Sequence, residues 1–190
     1  MATDDKDAFR FDCGAVWLNL LATTGRAFSA APVERLPTPQ RLADWLEQCD
    51  LAPVRPPDDH DLRRTRELRE TLRLLALATV DDRPPPEDAV AKLTALLASH
   101  DAPIRLRAGD RLRRDPPATG TDALARVARQ AADHLTGADR HALKVCPESD
   151  CRGVFVDPPG RRRWCPSPAC ASRGRVRALR ARRSAAAAEG

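Results

Sequence analysis

The chain has 190 residues, a net charge of +5, ordinary apolar content (42%) and no tyrosine. That length allows one domain or two modest ones, and no apolar run nears the roughly 20 residues a bilayer span requires, Leu74 to Val80 being the longest patch. The charge is uneven: residues 1–140 carry 21 basic and 23 acidic side chains, net −2, whereas residues 141–190 carry 11 and 4, net +7, so a polyanionic partner is expected for the C-terminal end.

The polar, acidic start from Met1 to Arg10 is not built as a secretory signal; with free thiols and no membrane anchor, a cytoplasmic location is expected. Phe9-Arg10-Phe11 fits either a short strand or an apolar lead-in. Val16, Trp17, Leu20 and Leu21 then form one helical face that stops by Gly25, and residues 26–37 read as loop. Thr38-Pro39 joins a capping side chain to a proline suited to a first helical turn, with Leu42, Trp45, Leu46 and Cys49 following on one side. The strongest periodicity follows Asp58-Asp59: Leu62, Thr65, Leu68, Leu72, Leu75 and Thr79 recur every three or four residues. Arg63, Arg64, Arg66, Arg69 and Arg73 are expected mostly outside, where Glu67 and Glu70 would balance them rather than leave them for a polyanion.

Another helix is expected from about Glu87 to Ser99, burying Val90, Leu93, Leu96 and Leu97. Ile104, Leu106 and Leu112 alternate with arginines about Ala108-Gly109-Asp110, a hairpin pattern. Thr121 reads as the cap of a helix carrying Leu124, Val127, Ala128, Ala131 and Leu135, stopped near Gly137.

Four cysteines close the chain as Cys-x4-Cys-x13-Cys-x4-Cys: Cys146, Cys151, Cys165 and Cys170. Two short pairs around a hairpin-sized spacer suit one tetrahedral zinc, and with four sulfurs no position stays open for a substrate, so the metal is structural. Val154-Phe155-Val156 reads as a strand, Asp157-Pro158-Pro159-Gly160 as a turn, and Arg161 to Trp164 as the return strand. A helix is expected from about Ser172 to Arg183, with Arg173, Arg177 and Arg180 on one face, Arg175 and Arg182 on another, and Val176 and Leu179 packed on the ribbon. Arg161, Arg162, Arg163, Arg173, Arg175, Arg177 and Arg180 are the candidate nucleic-acid contacts, to DNA before RNA; Arg173 and Arg161 to Arg163 would also offset the thiolate charge. Trp164 and Phe155 fit the core of a small module, with stacking on unpaired bases as the alternative.

The expected architecture is therefore mainly α (α+β): a helical domain with a small hairpin over residues 1–140, a treble-clef or ribbon-like four-cysteine zinc finger ending in a basic helix over 141–183, and a flexible tail over 184–190. Trp17, Asn19 and Trp45 are the candidates for a small-ligand pocket in the helical part, which would otherwise serve as a dimer surface. Asn19 would otherwise brace a loop. His60, His100, His134 and His141 are scattered and no phosphate-cradling glycine loop occurs, so no enzyme is expected; Cys13 and Cys49 read as buried thiols.

Lys144 to Cys151, Phe155-Val156-Asp157 and Gly160 to Cys165 resemble the CGNR zinc finger, and Val16-Trp17-Leu18-Asn19 with Leu42 to Leu46 resemble the ABATE-type helical domain that precedes it in that family. The resemblance implies a transcription regulator linked to stress. At the last ligand the family motif Cys-Gly-Asn-Arg is here Cys170-Ala171-Ser172-Arg173, so the ligand and the arginine are kept while the glycine and asparagine are not. A protein-interaction adaptor, whose basic face meets an acidic partner, is the non-nucleic alternative.

Overall fold

A computed structural model describes residues 8–100, 103, 105–157 and 160–188. The elements in order are α1 (Val16–Leu21), β1 (Thr24–Gly25), β2 (Val33–Glu34), α2 (Pro39–Gln48), α3 (Asp59–Val80), α4 (Glu87–Ser99), β3 (Leu106–Arg107), β4 (Arg113–Arg114), α5 (Gly120–Thr136), a 3-10 turn (Ala138–Ala142), β5 (Leu143–Val145), β6 (Val154–Val156) and α6 (Pro168–Ala188). Each pair of successive strands forms its own two-stranded antiparallel sheet. None of the described helices is long and apolar enough to cross a membrane.

Helix α3 is the axis, packed against α1, α2, α4 and α5. Its start is fixed by a capping box, Asp58 accepting from the Asp61 amide at 2.9 Å while Asp61 accepts from the Asp58 amide at 3.2 Å. Thr38 caps α2 as its sequence suggests. Helix α5 starts two residues earlier than expected: the cap is Thr119, boxed with Asp122, and the Thr121 hydroxyl instead donates to Asp61 at 3.2 Å. Trp17, Leu18, Leu20, Leu42, Trp45, Leu46, Leu72 and Leu124 are wholly buried and form the centre of one apolar core.

The structure departs from the sequence pattern in several places. Arg69 and Arg73 lie inside, 4% and 7% exposed, while Leu74 faces water. The reason is the β1–β2 hairpin, hidden in a stretch that reads as loop, which lays Glu34 over this side of α3. The Arg69 guanidinium forks onto Glu34 at 2.8 and 2.6 Å and also reaches the Thr23 hydroxyl; Arg73 donates to the Leu21 carbonyl and to Glu70. On α4, Ala89 takes the core place expected for Val90, which is exposed. The β3–β4 hairpin forms, yet both strands are exposed and Leu112 falls in the turn; Ile104 lies outside the described residues. Phe9-Arg10-Phe11 is a lead-in without regular structure, and α6 runs on to Ala188, through the stretch expected to be a flexible tail.

The C-terminal segment is seated on the helices directly. Leu143, Val154 and Phe155 belong to the same core cluster as Trp17 and Leu72. The Val156 amide donates to the Cys13 carbonyl at 2.9 Å, and beside it Gly14 adopts a left-handed φ of +101° with its Cα facing Val156. A Cβ there would stand 2.8 Å from the Val156 Cβ, so both backbone and packing select glycine. Arg152 closes the seam by clasping Asp81, at the end of α3, at 2.6 and 2.8 Å.

Candidate metal centre and its basic helix

Strand β5 runs straight into Cys146. The Glu148 carbonyl accepts the amides of both Cys151 and Arg152 at 2.9 Å, and the Cys146 amide donates to Gly153, folding residues 146–153 into a tight knuckle that turns the chain into β6. The register Leu143↔Val156, Lys144↔Phe155, Val145↔Val154 shows that β6 pairs upstream with β5, not with a return strand from Arg161 to Trp164. Asp157 explains this: its carboxylate accepts the Arg162 amide at 2.6 Å and faces Lys144 at 3.3 Å, folding the following loop back on itself. Those contacts hold the Asp157 carboxyl below its ordinary value, the Arg162 amide most of all. The loop then delivers Cys165, and the first turn of α6 delivers Cys170.

The four Sγ atoms lie within 4.8 Å of one another, and Cys151 and Cys165 are 3.8 Å apart. A tetrahedron with zinc–sulfur bonds of about 2.3 Å has edges of about 3.8 Å, so the set matches one structural zinc. A divalent cation at their centre would offset the mutual repulsion of four thiolates.

Two acids inside the knuckle orient α6. Glu148 is 2% exposed and accepts from Arg177 at 2.6 Å and from the Trp164 indole at 3.3 Å, with Arg173 3.8 Å away. Asp150 accepts from Arg173 at 3.1 Å and faces Arg26, on the loop after β1, at 3.5 Å; its carbonyl takes the Phe28 amide. Arg173 also points at the Cys170 sulfur at 3.5 Å, compensating thiolate charge as its position suggests. The helix lies flat because residue 174 is glycine: a Cβ there would fall 2.4 Å from the Trp164 Nε1.

Of the arginines expected to face a polyanion, Arg173 and Arg177 are therefore turned toward the knuckle. Arg175, Arg180, Arg182 and Arg183 are exposed with no carboxylate partner among the described residues, as are Arg161 and Arg163; Arg163 stacks over Trp164 at 5.3 Å. Val176 and Leu179 are 46% and 43% exposed, not packed on a ribbon. At 100° per residue they fall on the side of α6 opposite Cys170, Gly174 and Arg177, which together define the docked face. Glu148 and Asp150 are the residues sequence reasoning missed; the available signal was two acids placed between ligands in an otherwise strongly cationic segment.

The suggested pocket among Trp17, Asn19 and Trp45 is core. Both indoles are wholly buried, Trp17 donates to His134 at 3.1 Å, and Asn19 accepts from the Cys13 amide at 3.1 Å, bracing the lead-in loop. Burial, aided by Asp12 and Asp50 respectively, pushes the Cys13 and Cys49 thiols up to about 12, so both are held as unreactive neutral groups.

This arrangement defines a class: a helical domain that carries a four-cysteine zinc finger, whose last ligand sits in the first turn of an arginine-rich helix. Residues 14–138 match the family of the ABATE domain, described as "Putative stress-induced transcription regulator", and residues 142–183 match the CGNR zinc finger. The chain belongs to the ABATE family, with a CGNR zinc finger following the ABATE domain. No curated protein matches it significantly.

Proposed function

We propose that the protein is a non-enzymatic DNA-binding regulator that engages duplex DNA through α6 and the loop from Arg161 to Arg163. The observation that carries the reading is the division of labour on α6. One face is immobilised by Cys170, Gly174 on Trp164, and Arg173 and Arg177 on Glu148, while Arg175, Arg180, Arg182 and Arg183 project into water without carboxylate partners among the described residues. A rigidly held helix with free guanidinium groups suits phosphates and the paired acceptors of guanine. The RNA alternative needs aromatic faces for unpaired bases, and the finger's two are committed: Phe155 is fully buried, and Trp164 is bonded to Glu148 and covered by Gly174.

Neutralising about four to six phosphates gives a log–log salt slope of about −4 to −5 for duplex DNA. Fluorescence anisotropy with a random duplex should show that slope in the parent. Replacing Arg175, Arg180, Arg182 and Arg183 by alanine should make it shallower by about three units and weaken binding at least tenfold. Parent-like binding by that variant would refute the groove-helix reading. A library selection on the same protein would then report whether bases, and not only phosphates, are read.

A further inference from the structure

Two cavities open side by side on the helical domain, between α5, the β3–β4 hairpin and the loop after α2. The first, of about 310 Å³, is walled by Pro103, Pro116, Pro117 and Ala125 and carries Arg105, Arg126 and Arg129. The second, of about 410 Å³, is walled by Val16, Leu51 and Val127 and carries Arg114, again with Arg126 and Arg129. These volumes are in the range of small-molecule sites. Four guanidinium groups from α5 and the two arms of the hairpin thus border one trough, together with the carboxylates of Asp50, Asp115, Asp122 and Asp133.

Of these acids, Asp115 and Asp122 are engaged within the chain. Asp115, which lines the first cavity, meets Arg107 at 2.5 Å, and Asp110 is taken bidentately by Arg113. Asp122 closes the α5 capping box and faces His100 at 3.4 Å. Asp50 and Asp133 line the second cavity. Among the described residues Arg105, Arg114 and Arg126 have neither an ion pair nor a side-chain hydrogen bond, whereas Arg107 and Arg113 are neutralised. Burial, and the like charge of Arg114, pull the Arg126 guanidinium below its ordinary value, against the smaller opposing pull of Asp122 and Asp115.

We propose that this trough is a binding site for a small organic oxyanion, a carboxylate or phosphate ester with an apolar body, its charged end held by Arg126 with Arg105 or Arg114 and its body lying on the proline and aliphatic walls. Guanidinium pairs suit such groups through forked hydrogen bonds. The paired Arg107 and Arg113 argue against the hairpin as an arm for a long polyanion, and the concave walls argue for a compact ligand. The proposal does not depend on DNA binding by α6.

Isothermal titration of the zinc-loaded full chain with phenyl phosphate, at fixed ionic strength, tests it. One saturable site per chain is expected. Arg126→Gln should weaken it at least tenfold, and Arg114→Gln, at an exposed strand position, at least threefold. Arg63→Gln, on the exposed side of α3, should leave it unchanged. Benzyl alcohol, which lacks the charge, should not compete. Absence of a saturable site, equal binding by the Arg126→Gln variant, or competition by benzyl alcohol would overturn the proposal. So would an Arg126→Gln variant that loses duplex DNA affinity while keeping phenyl phosphate, since the trough would then belong to a nucleic-acid surface.

Discussion

Helices α3 and α6 are both long and both rich in arginine, yet they treat those arginines in opposite ways. On α3 the β1–β2 hairpin arrives with Glu34, and Arg66, Arg69 and Arg73 are drawn in as brackets between helix, hairpin and α1. On α6, among the described residues, the acidic partners are Glu148 and Asp150, both within the knuckle, so they engage the first turns and leave the rest of the helix cationic. An arginine count therefore says little about partners by itself. What decides is whether an acidic segment of the same chain is folded over that face.

Removing zinc breaks the comparison most completely. The finger depends on an ion whose binding to comparable sites contributes about 10–16 kcal/mol, whereas the helical domain supplies most of the apolar core on which the finger sits. A chelator should abolish the ordered α6 and expose four thiols to alkylation, with most of the remaining helical circular dichroism retained. An unchanged spectrum and protected thiols would show that the fold of α6 does not rest on the metal.

Next in size are the two buried acid–arginine junctions. Glu148→Ala strands Arg177 and the Trp164 indole and should lower zinc affinity about tenfold. Arg69→Ala removes the forked partner of Glu34, leaving it the Leu36 amide and Arg66 at 3.9 Å, and leaves Glu70 to Arg73. It should cost about 2–3 kcal/mol in denaturant unfolding, the half-exposed acids being discounted from the fully buried case. Arg175→Ala is the contrasting change: stability within about 0.5 kcal/mol of the parent, but a salt slope shallower by about one unit. Should Arg69→Ala, refolded and intact, shift the salt slope as Arg175→Ala does, the contrast between the helices would fail.

The smallest expected effect concerns pH. Burial works to raise the Glu34 carboxyl, but hydrogen bonds from Arg69 and the Leu36 amide outweigh it and hold the carboxyl below its ordinary 4.5. A depressed carboxyl adds stability above its unfolded value, lost as pH falls through the folded one. Glu34→Gln should be less stable by about 1 kcal/mol at neutral pH. That gap, read as a melting-temperature difference, should narrow below about pH 4.5 and close as the acid protonates. A gap independent of pH would remove the charge from the account of this junction.

The zinc ligands and the caps at Thr38 and Asp58 are legible in the sequence because each is a local pattern whose chemistry is complete within a few residues. The Thr119–Asp122 box is equally local but stands two residues from the more conspicuous Thr121, which draws the assignment. Burial of Arg69 and Arg73 is not legible, since helical spacing assigns a face without saying what covers it, and the covering strand is only Val33–Glu34. For the same reason the sequence points to the wrong partner for Val154–Val156: the hairpin lies around the first cysteine pair, and Asp157 decides it by capturing the Arg162 amide.

Helix α6 is clamped near its beginning and free beyond Arg177, leaving about 16 Å of helix past the clamp at 1.5 Å per residue. It behaves as a boom on a short pivot, and the pivot is the bare Cα of Gly174 against a flat indole. Tilting that seat by about 10° would sweep the tip through about 3 Å, as much as the full length of a hydrogen bond. The smallest side chain in the finger thus sets the aim of its outermost charges.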